Sequence, residues 1–337
     1  MKAYEISKFG IDNLTKTEIP EPKAGKGEVL IKIKAVSLNY RDLMVVSGTY
    51  NPRMKLPAIP FSDAAGEIVE IGEGVKKWKV GDRVMPIFVQ HWYDGRLNDE
   101  IRRTALGAGS DWNGVLREYA AFSEESIVRS PEYLSFEAAA TLPCAALTAW
   151  NALVESGKLR AGETVLTLGS GGVSTFAIRI AKMFGARVIA TTGTGEKAER
   201  LRLLGADEVI NYRENPDWDE LVLKLTGKRG VDHVVEVGGA GTLPRSARSV
   251  TVGGHIALIG ALSGGEGLNP VGVFMKAARL QGIFVGSRRM LEDMNRAFEF
   301  HRIQPVIDRV FSFDEAKEAL QYLESGKHFG KIVIRVD

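Results

Sequence analysis

The sequence has little of three things that often narrow a protein's class: cysteine, net charge and long apolar runs. Cys144 is the one cysteine, so a disulfide framework within the chain is impossible, and a cytoplasmic setting is the default expectation. With 44 basic and 42 acidic residues the formal net charge is +2, which argues against a nucleic-acid partner. No run of roughly 20 apolar residues occurs, so we expect no membrane span.

What the sequence does have is 337 residues, enough for about two domains, and a change of pattern between residues 125 and 135. The first part is β-rich, as in 29–36, which alternates like a half-buried strand. From Ser135 onward, short β-branched runs alternate with helical runs, which is typical of a doubly wound parallel sheet. We therefore expect an α/β protein with one domain over 1–125 and 287–337 and a second over 126–286. The stretch 91–113 lacks periodicity and predicts a long loop or lid.

A glycine-rich turn follows the first strand of the second part. The apolar run 164–168 leads into Gly169-Ser170-Gly171-Gly172-Val173, and a helical run comes next. Such glycines make a tight turn and let the backbone approach a pyrophosphate at a helix N-terminus. In this strand–turn–helix context they predict a dinucleotide site, the alternative being that they only tighten the turn.

The end of the next strand favours NADPH over NADH. An NAD site usually has Asp or Glu there, about 20 residues after the glycine turn, to bind the ribose 2′-hydroxyl. Here the strand ends on Thr192-Gly193, and Lys197 lies just beyond. A 2′-phosphate needs cations and hydroxyl donors instead of a carboxylate. Two alternatives stay open: Lys197 as a solvated helix residue, and Glu196 as a late substitute for the missing acid.

Several segments, in register from end to end, carry a resemblance to a known family. The chain resembles the zinc-independent medium-chain dehydrogenase/reductases of the quinone oxidoreductase and enoyl reductase branch. The resemblance implies a GroES-like (chaperonin-10-like) catalytic domain beside a Rossmann domain, with the nicotinamide in the cleft between them. The matching segments are Ser37–Leu43 with Ser47–Tyr50, Asp63–Gly66 with Val80–Val84, Leu142–Cys144 with Leu147–Trp150, Gly205–Asp207 with Ile210–Tyr212, and Gly230–Asp232.

The resemblance also bears on zinc. Zinc enzymes of this superfamily hold the catalytic ion with two cysteines and a histidine, near an acid. Those positions match Asn39, Ser62, Asp63 and Cys144 here, so only the second cysteine is kept. One thiol and one carboxylate do not make a credible zinc site, and we expect no metal. We expect Cys144 to be a packing residue, and the five histidines to be structural or surface residues.

The resemblance assigns cofactor contacts throughout the chain. It implies that Lys197 and Tyr212 bind the 2′-phosphate and that Thr148 lies beside the nicotinamide. One departure is Ser174, where many relatives have a third glycine. The full predicted set is Thr148, Gly169, Ser170, Gly171, Gly172, Val173, Thr192, Gly193, Lys197, Tyr212, Gly238, Gly260, Leu262, Gly286, Ser287, Arg288 and Lys331.

Without a Lewis acid, a substrate carbonyl must be polarised by hydrogen-bond donors, which suits hydride addition to the activated double bond of an enone, enal or quinone. The candidate catalytic residues are Asn39, Tyr40 and Tyr50. Enoyl-thioester reductases of this superfamily carry a catalytic tyrosine in a similar Gly-x-Tyr context, although Tyr50 could equally be a packing residue. Arg41 and Asp42 could form a structural ion pair.

Two other readings of the function remain open. One is a zinc-free NAD(P)-dependent alcohol dehydrogenase or carbonyl reductase, and the other is a cofactor-binding structural or RNA-binding relative. We expect a small-molecule substrate and a homodimer. The dimer is expected because the strand candidate 280–285 resembles the edge through which relatives extend one sheet across two subunits.

Overall fold

The computed structural model describes residues 1–260, 262–264 and 268–336, without the Ser110 side chain. It divides into two compact units. Unit 1 comprises Met1–Leu147 and Val285–Asp337, and unit 2 comprises Thr148–Phe284. Within the described ranges, no helix is both long enough and apolar enough to cross a membrane.

Fifteen strands are assigned in the described residues: β1 (Lys2–Ile6), β2 (Leu14–Glu18), β3 (Glu28–Ser37), β4 (Asp63–Ile71), β5 (Arg83–Pro86), β6 (Tyr119–Ser123), β7 (Ile127–Arg129), β8 (Thr164–Thr167), β9 (Arg187–Thr192), β10 (Glu208–Asn211), β11 (Val231–Glu236), β12 (Val250–Leu258), β13 (Arg279–Gly282), β14 (Ile307–Ser312) and β15 (Lys331–Arg335). The α-helices are α1 (Tyr40–Ser47), α2 (Asp99–Arg102), α3 (Phe136–Ala139), α4 (Leu147–Trp150), α5 (Gly172–Met183), α6 (Gly195–Leu204), α7 (Trp218–Leu225), α8 (Leu243–Ser249), α9 (Val271–Phe274), α10 (Arg288–His301) and α11 (Ala316–Glu324). Short 3-10 turns and two π-helical segments, Leu142–Ala146 and Asn151–Ser156, complete the secondary structure.

Unit 1 is built around a seven-stranded sheet of order β14-β15-β3-β4-β5-β7, with β6 also paired to β3. The long strand β3 lies at its centre, antiparallel to β15, β4 and β6. Its residues Val29, Ile31 and Ile33 are buried in the core of the unit, as the predicted alternation requires. The β-rich prediction for this part of the chain is confirmed.

Unit 2 is a six-stranded parallel sheet of order β10-β9-β8-β11-β12-β13. This is the 3-2-1-4-5-6 order of a doubly wound dinucleotide-binding fold, in which the strand order reverses between β8 and β11. Leu166, Ile189 and Val234 lie on adjacent strands and are all buried in the core of this unit. Strands of a parallel sheet are covered on both faces, which is why their sequences are almost wholly apolar. The predicted parallel sheet is confirmed, and its first crossover, β8–α5–β9, carries the glycine turn.

Two predicted boundaries lie elsewhere in the structure. Residues 126–147 pack with unit 1, because β7 pairs with β5 and α3 packs on β3 and β4. The strand predicted over 280–285 is the shorter β13, which stops at Gly282.

The stretch 91–113 contains more secondary structure than the long loop that the sequence predicts. It contains helix α2 and a 3-10 turn, Ser110–Trp112. The Asn98 side chain caps α2 by accepting from the Ile101 N–H at 2.8 Å, and a helix of four residues is too short to show periodicity in the sequence.

Candidate active site

The predicted glycine turn adopts the geometry that a dinucleotide needs. Gly169 has a φ of 72°, a left-handed conformation in which glycine is the residue without strain. Gly171 precedes α5, and a Cβ added at either glycine would meet nothing within 4 Å, so the backbone is open to a ligand. The first turn of α5 contains no acidic residue, which leaves its N–H groups and dipole for an anion.

Ser174, the departure from the family pattern, is buried against the glycine turn. Its side chain is 1% exposed, and its hydroxyl donates to the Leu168 carbonyl at 2.6 Å. The Thr191 hydroxyl accepts from the Gly169 N–H at 3.3 Å, which ties the turn to the end of β9. The serine therefore stabilises the turn instead of distorting it.

At the end of β9, Tyr212, which is predicted to bind a 2′-phosphate, lies beside Gly193. Tyr212 donates its backbone N–H to the Thr192 carbonyl at 2.9 Å, and a Cβ on Gly193 would lie 2.7 Å from the Tyr212 hydroxyl. Lys197 is half-buried in the first turn of α6, whose N-cap is Thr194. The same hypothetical Cβ on Gly193 would lie 3.2 Å from Nε of Arg213, a cation that sequence reasoning missed although it follows Tyr212 directly.

A buried carboxylate organises the next loop of unit 2. Glu236, at the end of β11, is fully buried, and its Oε1 accepts from the N–H groups of Gly238 and Gly239 at 2.8 and 3.0 Å. Thr242 and Ser246 donate their hydroxyls to the same carboxylate. These four donors fix the loop that begins at Gly238, one of the predicted cofactor residues.

The loop after β12 lies against the Glu236 loop. Ser263 donates its N–H to the Gly238 carbonyl at 2.7 Å, and a Cβ on Gly260 would lie 2.0 Å from the Val237 carbonyl oxygen. Only glycine fits at position 260 for that reason. Leu262 is half exposed at the tip of this loop. The structure thus brings Gly238, Gly260 and Leu262 to one edge of the sheet.

In unit 1, a buried lysine lies among the predicted catalytic and metal-position residues. Lys331, the first residue of β15, is 3% exposed. Its ammonium donates to Oδ1 of Asn39 at 2.6 Å and to the carbonyl of Leu38. The Asn39 amide nitrogen is buried and faces Asp63, where it helps to keep that carboxylate ionised.

Two fully buried carboxylates complete this cluster. Asp63 accepts from the Ser62 hydroxyl at 2.8 Å and from the Cys144 N–H at 3.0 Å. Asp42 accepts from the Asn39 N–H at 2.8 Å and lies 3.8 Å from the Arg41 guanidinium. We call these residues, Asn39, Arg41, Asp42, Asp63 and Lys331, the buried ion cluster.

Burial favours the neutral forms of Asp42, Asp63 and Lys331, and the opposite charges nearby favour their ionised forms. Burial raises the pKa of Asp42 to about 7, and Arg41 and Lys331 act against that rise. Burial also raises the pKa of Asp63 and lowers that of Lys331, while each favours the charged form of the other. Burial, with Asp63 nearby, raises the pKa of the Cys144 thiol, so Cys144 does not offer a thiolate and fits its predicted packing role.

Tyr50 lies on the exposed side of this region, next to the largely buried Arg41 side chain. Tyr50 follows the C-cap of α1 and is 36% exposed, and the Arg41 guanidinium lies 4.8 Å from the centres of both the Tyr50 and Phe88 rings. Arg41 also donates to the Leu106 carbonyl at 2.8 Å. Tyr40, at the start of α1, is exposed. The three predicted catalytic residues, Asn39, Tyr40 and Tyr50, thus flank one short helix.

Four of the remaining predicted cofactor residues have local roles in the structure. Ser287 is the buried N-cap of α10 and accepts from the Met290 N–H, and a Cβ on Gly286 would lie 2.8 Å from the Leu147 side chain. Arg288 pairs with Glu125. Thr148 is buried in α4. Their contacts with a cofactor stay predictions.

Two family models match the chain. The alcohol dehydrogenase GroES-like domain matches residues 25–132, and the zinc-binding dehydrogenase model matches residues 172–300. A zinc-type alcohol dehydrogenase-like protein of Schizosaccharomyces pombe is 43% identical, over 99% of this chain and 97% of its own length. This chain belongs to the medium-chain dehydrogenase/reductase superfamily.

Other members of the superfamily are similar over nearly the whole chain. Acryloyl-coenzyme A reductase of Sulfurisphaera tokodaii is 31% identical over 94% of this chain and 95% of its own length. The crystal structure of an NAD-dependent alcohol dehydrogenase superposes with a TM-score of 0.91 at 35% identity, covering all of both chains. This medium-chain dehydrogenase/reductase is therefore an NAD(P)-dependent oxidoreductase with a GroES-like and a Rossmann-like part, and the predicted family and fold class are confirmed.

Some members of the superfamily hold zinc, but the donor set of this member does not fit that ion. A zinc ligand must be a thiolate, an imidazole or a carboxylate, and three of them must converge. Here the first position is the Asn39 amide, whose oxygen accepts from an ammonium ion, and the histidine position is the Ser62 hydroxyl, which donates to Asp63. In the described part of the chain, no three His, Cys, Asp or Glu side chains group to hold a metal ion.

Glu236 generates a prediction for this dehydrogenase/reductase. Glu236→Gln removes the charge that accepts four hydrogen bonds, and hydrogen bonds to a charged group contribute about 1.5–3 kcal/mol each before rearrangement. We expect the free energy of unfolding to fall by about 1–3 kcal/mol, and the affinity for the dinucleotide to fall with it because the Gly238 loop loosens. Urea unfolding and fluorescence titration of the cofactor measure the two effects.

The matched control for this variant is Glu220→Gln, an exposed glutamate on α7 in the same unit, which should change neither quantity. Unchanged stability in Glu236→Gln would show that the loop does not depend on this carboxylate.

Proposed function

We propose that this protein is a zinc-independent, NADPH-dependent reductase of activated carbon–carbon double bonds, acting on an enone, an enal or a quinone. The observation that carries the proposal is the buried Lys331 ammonium, which hydrogen-bonds Asn39 in a donor set that does not fit zinc. An alcohol oxidation needs an alkoxide to form, and a metal ion is the usual means of stabilising it. Conjugate reduction has no such requirement, because hydrogen-bond donors can meet the developing charge.

When bound, the dihydronicotinamide supplies a hydride to the β-carbon of the substrate. The electron pair of the double bond then moves toward the carbonyl, and the α-carbon gains a proton. In this chain the hydroxyls of Tyr50 and Tyr40 are the exposed candidates for a donor to the substrate oxygen or for that proton. Asn39 is a weaker candidate than predicted, since its amide oxygen is engaged by Lys331 and its nitrogen is buried.

The names of the relatives support two candidate reactions. Acryloyl-coenzyme A reductase, at 31% identity, is named for a conjugated double bond and favours the proposal. The NAD-dependent alcohol dehydrogenase, at 35% identity, favours the second candidate, a zinc-free alcohol dehydrogenase or carbonyl reductase. The donor set does not fit a metal ion that would stabilise an alkoxide, and this favours double-bond reduction over alcohol oxidation.

The proposed cofactor is NADPH. Arg213 and the Tyr212 hydroxyl lie beside Gly193 at the end of β9, and Lys197 lies in the first turn of the helix that follows. The strand ends without the carboxylate that would bind a ribose diol. A phosphate accepts from several donors at once, and a second cation, Arg213, adds to the pair predicted from the sequence. A homodimer formed through the exposed edge strand β13 stays a prediction.

The reaction prediction compares one enone with its saturated ketone. Polarisation of a carbonyl by a Lewis acid lowers the activation free energy by several kcal/mol, and the ketone lacks this help here. We therefore expect the NADPH-dependent kcat/KM for the enone to exceed that for the ketone by roughly 10²-fold or more. Steady-state assays, repeated after treatment with a chelator, measure this. Equal rates on both substrates, or loss of turnover on chelation, would contradict the proposal.

The cofactor prediction uses two single variants. Lys197→Ala and Arg213→Ala should each weaken NADPH binding about 10- to 100-fold and leave NADH binding nearly unchanged, since a charge-assisted hydrogen bond contributes about 1.5–3 kcal/mol. Fluorescence titration of both cofactors measures the affinities, with Lys224→Ala, an exposed lysine on α7, as the control. If the unaltered protein bound NADH more tightly than NADPH, the NADPH proposal would be wrong.

The catalytic prediction concerns the Tyr50 hydroxyl. Tyr50→Phe removes the hydroxyl and keeps the ring beside the Arg41 guanidinium, so the fold should be unaffected. If the hydroxyl donates to the substrate or supplies the proton, kcat for the enone should fall by roughly 10²-fold or more, with NADPH affinity unchanged. Tyr119→Phe on β6 is the control, and near-normal turnover in Tyr50→Phe would assign Tyr50 to packing.

A further inference from the structure

We propose that Lys331 is a positioning residue whose buried ammonium does, inside unit 1, what a metal ion does in zinc-dependent relatives: it holds two separate chain segments around one internal positive charge. The segments are the start of α1 and the π-helical turn Leu142–Ala146. This role differs from the cofactor contact that the family resemblance implies for Lys331.

The first segment is held through Asn39. An ammonium has three donors and no acceptor, so the Asn39 side chain must direct its oxygen toward Lys331 and its nitrogen away. Lys331 also donates to the Leu38 carbonyl, which fixes the chain just before α1. The Asn39 N–H is in turn bonded to Asp42 in the first turn of the helix. One ammonium therefore sets the position from which Tyr40 and Arg41 leave the sheet.

The second segment is held through Asp63. This carboxylate accepts from the N–H of Cys144 inside the π-helical turn and from the neighbouring Ser62 hydroxyl. Thr148, the residue predicted to lie beside the nicotinamide, follows Cys144 by four positions in the chain. Asp63 and Val333 pair with Ser37 from opposite sides in the sheet, so β4 and β15 bring Asp63 and Lys331 to the two sides of the segment that leads into Asn39. Asp63 is fully buried, so its charge depends on a cation within the protein, and the buried Lys331 favours its ionised form.

The cluster holds two acids, Asp42 and Asp63, and two bases, Arg41 and Lys331. Because burial raises the pKa of Asp42 to about 7, that carboxyl is partly neutral near pH 7, and the cluster carries no surplus negative charge for a metal ion to neutralise. An extra divalent cation would leave the buried cluster with excess positive charge. Conversely, removing one partner of a buried pair leaves the other uncompensated, which costs much more than the pair contributes.

The fold places Lys331 where solvent does not reach it. Gly330 has a φ of 82°, and a Cβ there would lie 2.4 Å from the Val306 carbonyl oxygen, so the chain enters β15 through a fixed turn. Ile332, Val333 and Ile334, which follow Lys331 in β15, are all buried. A cofactor phosphate would have to compete with Asn39 and the Leu38 carbonyl for this ammonium.

The test is a double-mutant cycle on unfolding, made with the full-length protein. We expect Lys331→Met to lower the Tm by roughly 5–15 °C, because an uncompensated carboxylate is left buried. Asp63→Asn should also lower the Tm. The double variant Lys331→Met with Asp63→Asn should lose clearly less than the sum of the two, since removing both charges leaves neither unpaired.

The control cycle is the exposed pair of the same unit, Lys16 and Asp314, which are 2.6 Å apart with side chains 41% and 73% exposed. Lys16→Met and Asp314→Asn should be nearly additive and should change the Tm little, because solvent screens such a pair. If Lys331→Met does not yield folded protein, Lys331→Gln keeps a donor for Asn39 and removes the charge, so it enters the same cycle.

Measuring the kcat of the variants separates a positioning role of Lys331 from a purely structural one. This measurement rests on the proposed reductase function, whereas the unfolding cycle does not. In the double variant, the Tm should be higher than the two single losses together predict. The kcat for the enone should still be at least tenfold below that of the unaltered protein, because Asn39 is no longer held in place. The Kd for NADPH should stay within about threefold of the unaltered protein.

Three outcomes would overturn the proposal. Additive Tm losses in the Lys331 and Asp63 cycle would show that the two charges are not coupled. Recovery of kcat together with stability would reduce Lys331 to a structural residue. A tenfold or greater rise in the Kd for NADPH, with the Tm unchanged in Lys331→Met, would place the ammonium on the cofactor.

Discussion

Two carboxylates lie fully buried in unit 1, and the surrounding structure has to balance their charge from within. An ionised carboxylate is too costly to bury without a partner. Asp42 and Asp63 meet this constraint with Arg41, Lys331 and a set of backbone and hydroxyl donors. The position of α1, the turn at Cys144 and the first residue of β15 all follow from these contacts, because each supplies either a charge or a donor to the cluster.

Unit 2 solves a similar problem in another way. The carboxylate of Glu236 is fully buried, and four donors from one loop and helix surround it instead of a cation. Four converging hydrogen bonds can stabilise one buried charge when the backbone supplies some of them. The result is a rigid loop beside the strands whose carboxyl ends carry the dinucleotide turn. In both units, then, buried acids fix the segments that function requires.

The parts of the structure with regular local patterns could be predicted from the sequence. The run 164–168, the turn at Gly169 and the helix beyond it match β8 and α5 closely, because hydrophobic periodicity and glycine placement are local signals. The Ser135 hydroxyl caps α3 by accepting from the Ala138 N–H, and a serine just before a helical run is a local signal of the same kind. The residues around Gly193 were found for the same reason, since each lies at a strand end or in the next turn.

Features that depend on distant partners could not be predicted in this way. Arg213 has no motif of its own and was found only because the fold turns its side chain toward Gly193. The helix at 99–102 is too short to show a period, and residues 126–147 pack with unit 1 through strand pairing that no local pattern encodes.

The sequence by itself determined the fold class, the family, the dinucleotide turn and the loss of the zinc ligands, because these follow from residue identities at fixed spacings. Only the tertiary structure decided what stands in the place of those ligands. Lys331 and Asn39 are 292 positions apart in the chain, and their side chains meet because β15 lies beside β3 in one sheet. A hydrogen bond between such distant residues depends on burial and strand pairing, and neither can be read from the sequence around either residue.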